Sequence, residues 1–395
     1  MSRGLGVGLG VGLGIGLGLG LGIGLSWGWG HNGGDKIKVG IDSLIGDTPL
    51  VEIRSLSKET GCRILAKMEM TNPGGSAKDR VALAIIEFAE RNGLLTPHVG
   101  DVVFEGTSGS TGISLAMLCR ARGYEAHIVV PDDTSLEKVS LLEMLGAVVH
   151  KVRPASIVDK DQYVNYARRA AQTINDDAND PRKALFVDQF ENECNWRAHY
   201  THTGPEIIKQ CGKQGLDAFV TGAGTGGTIS GVGLYLKSTV PNVRIVLADP
   251  QGSGFYNKVK YGIMYDSREK EGTRRRHQVD TVVEGIGLNR ITRNFEAGLL
   301  AIDEAFRVDD NQAINMAKYL VENDGLFVGS SSAVNCVAAY KYAKQLGPGH
   351  TIVTVICDSG TRHLSKFWKL PGSPQLPSPS DIDATNPSRP VGGSP

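Results

Sequence analysis

The chain has 395 residues, 42 of them Lys or Arg and 42 Asp or Glu, so its formal charge at pH 7 is zero. Interspersed, balanced charge excludes a basic stripe for nucleic acid, and the Arg274-Arg275-Arg276-His277 cluster lies in a polar stretch that reads as a solvated loop. The six cysteines are scattered with no CxxC pair, which suits a reducing compartment; His199 and His202 lack an acidic or Cys ligand at metal spacing, so no metal site is expected.

Residues 4–30 carry no charge, and up to Gly24 glycine holds every even position with Leu, Val or Ile between. Three readings compete for residues 1–34: a membrane anchor, a targeting signal, and a low-complexity extension. The span is long enough to cross a bilayer. Glycine costs a helix ~1 kcal/mol per residue relative to alanine, although membranes tolerate it better than water does. As a strand, the period of two would put every large side chain on one face and invite aggregation. Arg3 alone is too little basic charge for a transit peptide. A secretory signal would have a shorter apolar region and an oxidising destination. The anchor is preferred, with the globular part on the cytosolic side, because Lys36 and Lys38 after the span outnumber Arg3 before it. The expected address is the mitochondrial outer membrane with the catalytic part facing the cytosol, or otherwise the cytoplasm.

Next comes Asn72-Pro73-Gly74-Gly75-Ser76-Ala77-Lys78-Asp79-Arg80, a turn-forming run that delivers a lysine to the start of an apolar-periodic helix. Lysine amines form Schiff bases with carbonyl cofactors, and burial or a neighbouring cation lowers their pKa toward the range where they act. A solvated first-turn residue is the bland alternative, so other segments must decide.

Asp101 to Phe104 reads as a strand, Ile113 to Arg122 as a helix, Ala126 to Val130 as a strand, Leu136 to Leu145 as a helix and Ala147 to Val152 as a strand. This is a βαβαβ unit, hence a parallel sheet with right-handed crossovers. A second series runs through a strand at Ala218 to Val220, a helix from Ile229, a strand at Arg244 to Ala248, a helix near Asp310 to Asn323 and a strand at Thr351 to Ile356. Two α/β lobes are implied, and ligands of such sheets bind beyond the carboxyl ends of the strands. From Pro371 to Pro395 the chain is rich in Pro, Ser, Gly and Asp, the composition of a disordered tail.

Four loops occupy those strand ends. Thr107-Ser108-Gly109-Ser110-Thr111-Gly112 runs straight into a helix, where free N–H groups and hydroxyls suit a carboxylate or phosphate; an ordinary N-cap is the alternative. Gly222-Ala223-Gly224-Thr225-Gly226-Gly227-Thr228 opens another helix and suits a phosphate. Gly222, Gly224 and Gly227 also satisfy the dinucleotide pattern, with Asp249 about twenty residues on, so NAD binding is a rival. Against it, Thr225 and Thr228 add hydroxyls that suit a terminal phosphate, and no nicotinamide-handling constellation accompanies them. Gly329-Ser330-Ser331-Ser332-Ala333 joins a strand-like run to a helix, and Asp358-Ser359-Gly360-Thr361-Arg362 follows the last strand. Pyridoxal 5'-phosphate, with an aldehyde and a phosphate, accounts for these loops and Lys78 with one ligand.

With Asp47-Thr48-Pro49-Leu50, the Lys78 motif, the Thr107 loop, Gln189-Phe190, Thr203-Gly204-Pro205-Glu206, the Gly224 loop, Gly285-Ile286-Gly287 and the serine loop in this order, the chain resembles a known family. It is the cysteine synthase and cystathionine β-synthase family of fold-type II pyridoxal-phosphate enzymes. The resemblance covers roughly Ile41 to Lys369 and is nearest a fungal-type cysteine synthase with an N-terminal extension. It implies an α/β fold of two lobes with parallel sheets flanked by helices and the cofactor between them. Residues 35–71 plus 186–370 would form the large cofactor-binding lobe and 72–185 a small mobile substrate lobe.

By the same resemblance Lys78 holds the cofactor as an aldimine, Gly224, Thr225, Gly226, Gly227 and Thr228 bind its phosphate, and Ser331 meets the pyridine nitrogen. Thr107, Ser108, Gly109, Thr111 and Gln189 would hold the substrate carboxylate. Ser110 stands where the family usually has an Asn that contacts the cofactor's ring oxygen. The implied reaction is β-replacement through an aminoacrylate, making L-cysteine from O-acetyl-L-serine and sulfide. Use of serine in the manner of cystathionine β-synthase, another activated serine, and a non-catalytic membrane-tethered cofactor-binding homologue are the alternatives. A homodimer is expected, with no nucleic-acid partner and membrane contact through residues 4–30. Cystathionine β-synthase would need a C-terminal regulatory module longer than this tail, and threonine dehydratases carry a lysine motif without Asp79.

Overall fold

The structure is a computed structural model that describes residues 37–107, 109–155, 157–212, 215–266 and 281–378. The expected anchor, the C-terminal tail from 379, Ser108 and the Arg274 cluster lie outside the described residues. Among the described residues no helix is long and apolar enough to cross a membrane.

The chain begins with β1 (Leu50–Glu52), α1 (Arg54–Thr60) and β2 (Arg63–Met68), and the Lys78 helix follows as α2 (Lys78–Arg91). Then come β3 (Val102–Gly106), α3 (Ser110–Arg122), β4 (Glu125–Pro131), α4 (Leu136–Met144), β5 (Val148–Val152), α5 (Tyr163–Asp176) and β6 (Ala184–Phe186). The short helices α6 (Cys194–Ala198) and α7 (Gly204–Cys211), separated by a π-helical turn over His199–Thr203, lead to β7 (Ala218–Gly222) and α8 (Gly227–Thr239). The rest comprises β8 (Arg244–Pro250), α9 (Phe255–Tyr261), α10 (Arg293–Gly298), β9 (Glu304–Val308), α11 (Asp310–Asp324), α12 (Ser330–Leu346) and β10 (Thr351–Ile356).

Two sheets result. One has the order β1-β2-β10-β7-β8-β9, and the other, β5-β4-β3-β6, is drawn entirely from the chain between β2 and β7. Every pairing is parallel except β1 with β2. Parallel strands are covered on both faces and read as continuous apolar runs. Thr351–Ile356 and Ala218–Gly222 are accordingly buried at every position, whereas the antiparallel edge strand β1 is largely exposed.

The βαβαβ reading holds, with α3 starting three residues earlier than its apolar period suggests because Ser110 and Thr111 enter the first turn. The run before the serine loop is not a strand: only Val328 pairs there, in an isolated bridge to Ser359. Ser330 to Ser332 belong to the first turn of α12.

A buried ionic network seats α2 on the larger sheet. Arg80, 4% exposed, donates from Nε to Glu69 Oε2 at 2.7 Å and from Nη1 to Glu206 Oε1 at 2.7 Å, and Lys67 Nζ donates to Glu206 Oε2 at 2.6 Å. Thr48 Oγ1 adds a hydrogen bond to Glu69 Oε1. Burial alone would raise the Glu206 carboxyl, but hydrogen bonds and charge from Arg80, with Lys67, hold it near about 2. Removing one partner of such a network leaves a buried charge uncompensated. R80M is therefore expected to lower stability by about 3–5 kcal/mol, read from the urea midpoint at unchanged slope; a loss below about 1 kcal/mol would contradict this role for the network.

Candidate active site

Lys78 reaches the site because the turn before it is pinned. Asn72, itself buried, donates from Nδ2 to Glu69 Oε2 at 2.9 Å and to the Ser76 carbonyl at 3.1 Å, and accepts from the Gly46 N–H. Ser76 pairs in an isolated bridge with Asp358, just beyond β10, which lays the lysine turn against the end of the larger sheet. Lys78 keeps part of its surface accessible, yet burial of its amine lowers the pKa; Cys357 and Asp358 pull the other way.

The charged neighbours of Lys78 are already engaged. Arg80 belongs to the buried network. Asp79 Oδ2 accepts the Gly74 N–H and Oδ1 accepts the Ser114 hydroxyl. Burial pushes the Asp79 carboxyl up to about 6, against those bonds and the charge of Arg362.

The glycine loop after β7 forms a narrow cradle. A Cβ on Gly224 would sit 2.2 Å from the Gly285 carbonyl oxygen, so only glycine permits this approach of two backbones. No side chain caps the start of α8, whose leading N–H groups and positive dipole end suit an anion. Thr225 is buried, its Oγ1 accepting from Asn195 Nδ2 at 2.9 Å, and Thr228 Oγ1 lies 3.3 Å from His199 Nε2. Burial drives His199 down to about 3, so it stands behind the loop as a neutral imidazole, its Nδ1 on Thr203.

Asn195 was not legible as a site residue. Its Nδ2 spans the Gln189 carbonyl and Thr225, while its buried Oδ1 has no hydrogen-bond partner among the described residues. It thereby joins the glycine loop to Gln189. Gln189 Oε1 accepts from Thr111 Oγ1 at 2.6 Å, and both residues are buried with Thr107, whose Oγ1 accepts the Gly109 N–H. Of the expected carboxylate-binding set, Thr111 is thus bonded to Gln189 and Gly109 to Thr107, with Ser108 lying outside the described residues.

Ser331 is buried in the first turn of α12 beside Cys357, whose sulfur also takes a 3.4 Å contact from Asn335 Nδ2. Burial, then Asp358, raises the Cys357 thiol to about 11, so it stays protonated. The serine turn also fixes its surroundings: Ser330 Oγ accepts the Glu284 N–H, next to Gly285, and Ser332 Oγ accepts the Cys357 N–H.

A partly desolvated amine, a glycine cradle at a helix N-terminus and a hydroxyl-lined carboxylate group fit a ligand that carries an aldehyde and a phosphate. The dinucleotide rival loses its acid. Asp249 is fully buried, Oδ2 accepts the Tyr256 N–H at 2.7 Å, and among the described residues Oδ1 has no hydrogen bond of good geometry, so the carboxyl is enclosed rather than offered to a ribose.

Glu105, on β3 next to this group, is fully buried with neither oxygen in a hydrogen bond of good geometry. Burial, then the charge of Asp188, raises it to about 8 against weaker polar pulls from Gln189. The folded chain therefore holds a proton here that the unfolded chain has released above the ordinary Glu range, and this group's share of stability falls as pH rises to about 8. E105Q is expected to gain stability relative to the parent between pH 5 and 8 in urea titrations. A pH-independent difference would contradict a protonated Glu105.

The sequence profile of the family described as pyridoxal-phosphate dependent enzyme matches residues 41–358. Cysteine synthase 2 of Emericella nidulans is 60% identical over 87% of this chain and 82% of its own. A Saccharomyces cerevisiae relative, whose name includes the words mitochondrial cysteine synthase, is 64% identical over 84% of each chain. Among solved structures, O-ureido-L-serine synthase superposes with a TM-score of 0.71 at 30% identity, covering 84% of this chain and 95% of that one.

Proposed function

The chain belongs to the pyridoxal-phosphate dependent enzyme family, and we propose that it makes L-cysteine and acetate from O-acetyl-L-serine and sulfide. It is an enzyme, a transferase of the cysteine synthase type, on the fold-type II architecture of parallel sheets flanked by helices, with pyridoxal 5'-phosphate as cofactor. The observation that carries the substrate assignment is the combination of the desolvated Lys78 amine with identity of 60% or more to relatives named cysteine synthase.

When bound, the cofactor supplies an aldehyde that condenses with amines and a ring that withdraws electrons from Cα. Lys78 is the amine that anchors it, and a lysine with lowered proton affinity spends enough time neutral to act as nucleophile and base. Gly224, Thr225, Gly226, Gly227 and Thr228 hold the phosphate at the start of α8. Thr107, Thr111 and Gln189, with Ser108 and Gly109, hold the carboxylate of the amino acid. That carboxylate fixes which Cα bond faces Lys78 Nζ. Nζ takes the Cα proton and returns it once the Cβ–O bond to acetate has been exchanged for a Cβ–S bond to sulfide. Ser331, a hydroxyl where a carboxylate would hold a proton on the ring nitrogen, leaves that nitrogen uncharged and favours prompt loss of the β-substituent.

Residues 72–185, which include most of the four-stranded sheet, act as the small substrate lobe against the remainder. The mitochondrial address follows the yeast relative's name. Residues 4–30 serve as its membrane tether by composition, and association as a homodimer follows the family resemblance.

The full chain loaded with pyridoxal phosphate is expected to change its visible spectrum on addition of O-acetyl-L-serine and to revert on addition of sulfide, releasing equal cysteine and acetate. K78A should lower cysteine formation by roughly two to four orders of magnitude. Retention of more than about a tenth of the rate in K78A would remove Lys78 from the chemistry, and turnover of serine but not its O-acetyl ester would replace the substrate assignment.

A further inference from the structure

Arg362, from the loop after β10, closes a ring of hydrogen bonds around the mouth of the site. Its Nη1 donates to Ser110 Oγ at 3.1 Å and its Nη2 donates to the Gly74 carbonyl. Gly74 N–H donates to Asp79, whose other oxygen accepts from Ser114 Oγ, and that hydroxyl lies 3.1 Å from the Ser110 carbonyl. Thus the loop of Ser110, the turn that carries Lys78 and the loop after the last strand are tied by one guanidinium. The turn is shaped to admit it: a Cβ on Gly75 would lie 2.7 Å from Arg362 Nη2.

The ring dictates what Ser110 can do. A hydroxyl that accepts from a guanidinium on one of its two lone pairs keeps its O–H free to donate. Among the described residues no acceptor takes that proton. A charge-assisted bond into the oxygen also polarises the O–H and strengthens it as a donor. Arg362 is half-buried, which limits competition from water for the guanidinium.

We propose that Arg362 is a positioning residue that aims the Ser110 hydroxyl at an anionic ring oxygen of the ligand held by Lys78. This rests on the proposed pyridoxal-phosphate site and assigns it a further determinant. A ring oxide beside an imine accepts such a donor, and the donor's strength shifts both affinity and light absorption of the conjugated system. Lysine at position 362 keeps the charge but loses the planar fork that reaches Ser110 and Gly74 together.

The test measures pyridoxal-phosphate affinity and the visible absorption maximum of the full-length parent and of R362Q, R362K, S110A and R362Q/S110A, with thermal unfolding of each cofactor-free protein. R362Q and S110A are each expected to weaken binding by about ten- to a hundred-fold and to shift the maximum in the same direction. The double variant should be no worse than either single one. S110N, whose longer amide reaches outward without help, should restore the parental maximum in the R362Q background. Parental affinity and spectrum in both R362Q and R362K would overturn the inference, as would additive effects in the double variant. Equal unfolding losses in R362Q with no effect in S110A would make the ring merely structural. A parental chain that binds no pyridoxal phosphate would instead overturn the proposed function.

Discussion

The site depends on one constraint: a primary amine must sit where water cannot keep it protonated, yet remain open to a ligand. Lysine in water is an ammonium ion and neither attacks a carbonyl nor takes a proton from carbon. Burial lowers the Lys78 pKa, but burial next to two charged residues would be self-defeating if their charges were free to act on it. They are not free. Arg80 is matched by Glu69 and Glu206, and Asp79 is held by a backbone N–H and a hydroxyl, its own ionisation opposed by burial. The Asp-Arg pair beside the lysine thus holds the helix start in place.

Four segments of the candidate site follow strand ends. The Thr107 loop follows β3, Gln189 follows β6, the Gly224 loop follows β7 and the Cys357 to Arg362 segment follows β10. The parallel topology brings these four ends together from two sheets, as open α/β folds place their ligands. Polar side chains then fasten one loop to the next: Thr111 to Gln189, Asn195 from Gln189 to Thr225, and Arg362 from Ser110 to Gly74. Apart from the Asn195–Gln189 bond, which spans 6 residues, the links cross between segments 30 to 288 residues apart, so their mutual position is a property of the fold.

That explains which parts were legible in the sequence. Strands such as Ala126 to Val130 and Thr351 to Ile356 are mostly apolar and largely buried, with only His127, Thr351 and Thr354 as polar members, and the loops after them stand out by their glycines and hydroxyls. Lys78, Thr107, Thr111, Gln189 and Ser331 emerge from motif and resemblance; in the structure Lys78, Thr111 and Ser331 lie in the first turns of α2, α3 and α12, and Thr107 and Gln189 on the loops after β3 and β6. Short strands escaped: Ala184–Phe186 has too few residues to show a period, and Glu304–Val308 mixes charge with apolar positions at a sheet edge. Asn195 and Arg362 escaped for a different reason. Their roles come from partners tens to hundreds of residues away, which no local pattern encodes. Asp249 misled because spacing alone cannot tell a carboxyl at a strand end from one folded back into its own turn.

The central claim is that Lys78 alone carries the carbonyl chemistry. Borohydride reduction of the full-length protein saturated with pyridoxal phosphate, followed by peptide mapping, tests it most directly. The account predicts that the cofactor is fixed on the peptide containing Lys78, in amounts that match the protein. Fixation on another lysine, such as Lys67 or Lys138, or no fixation under conditions where the protein stays folded, would contradict it.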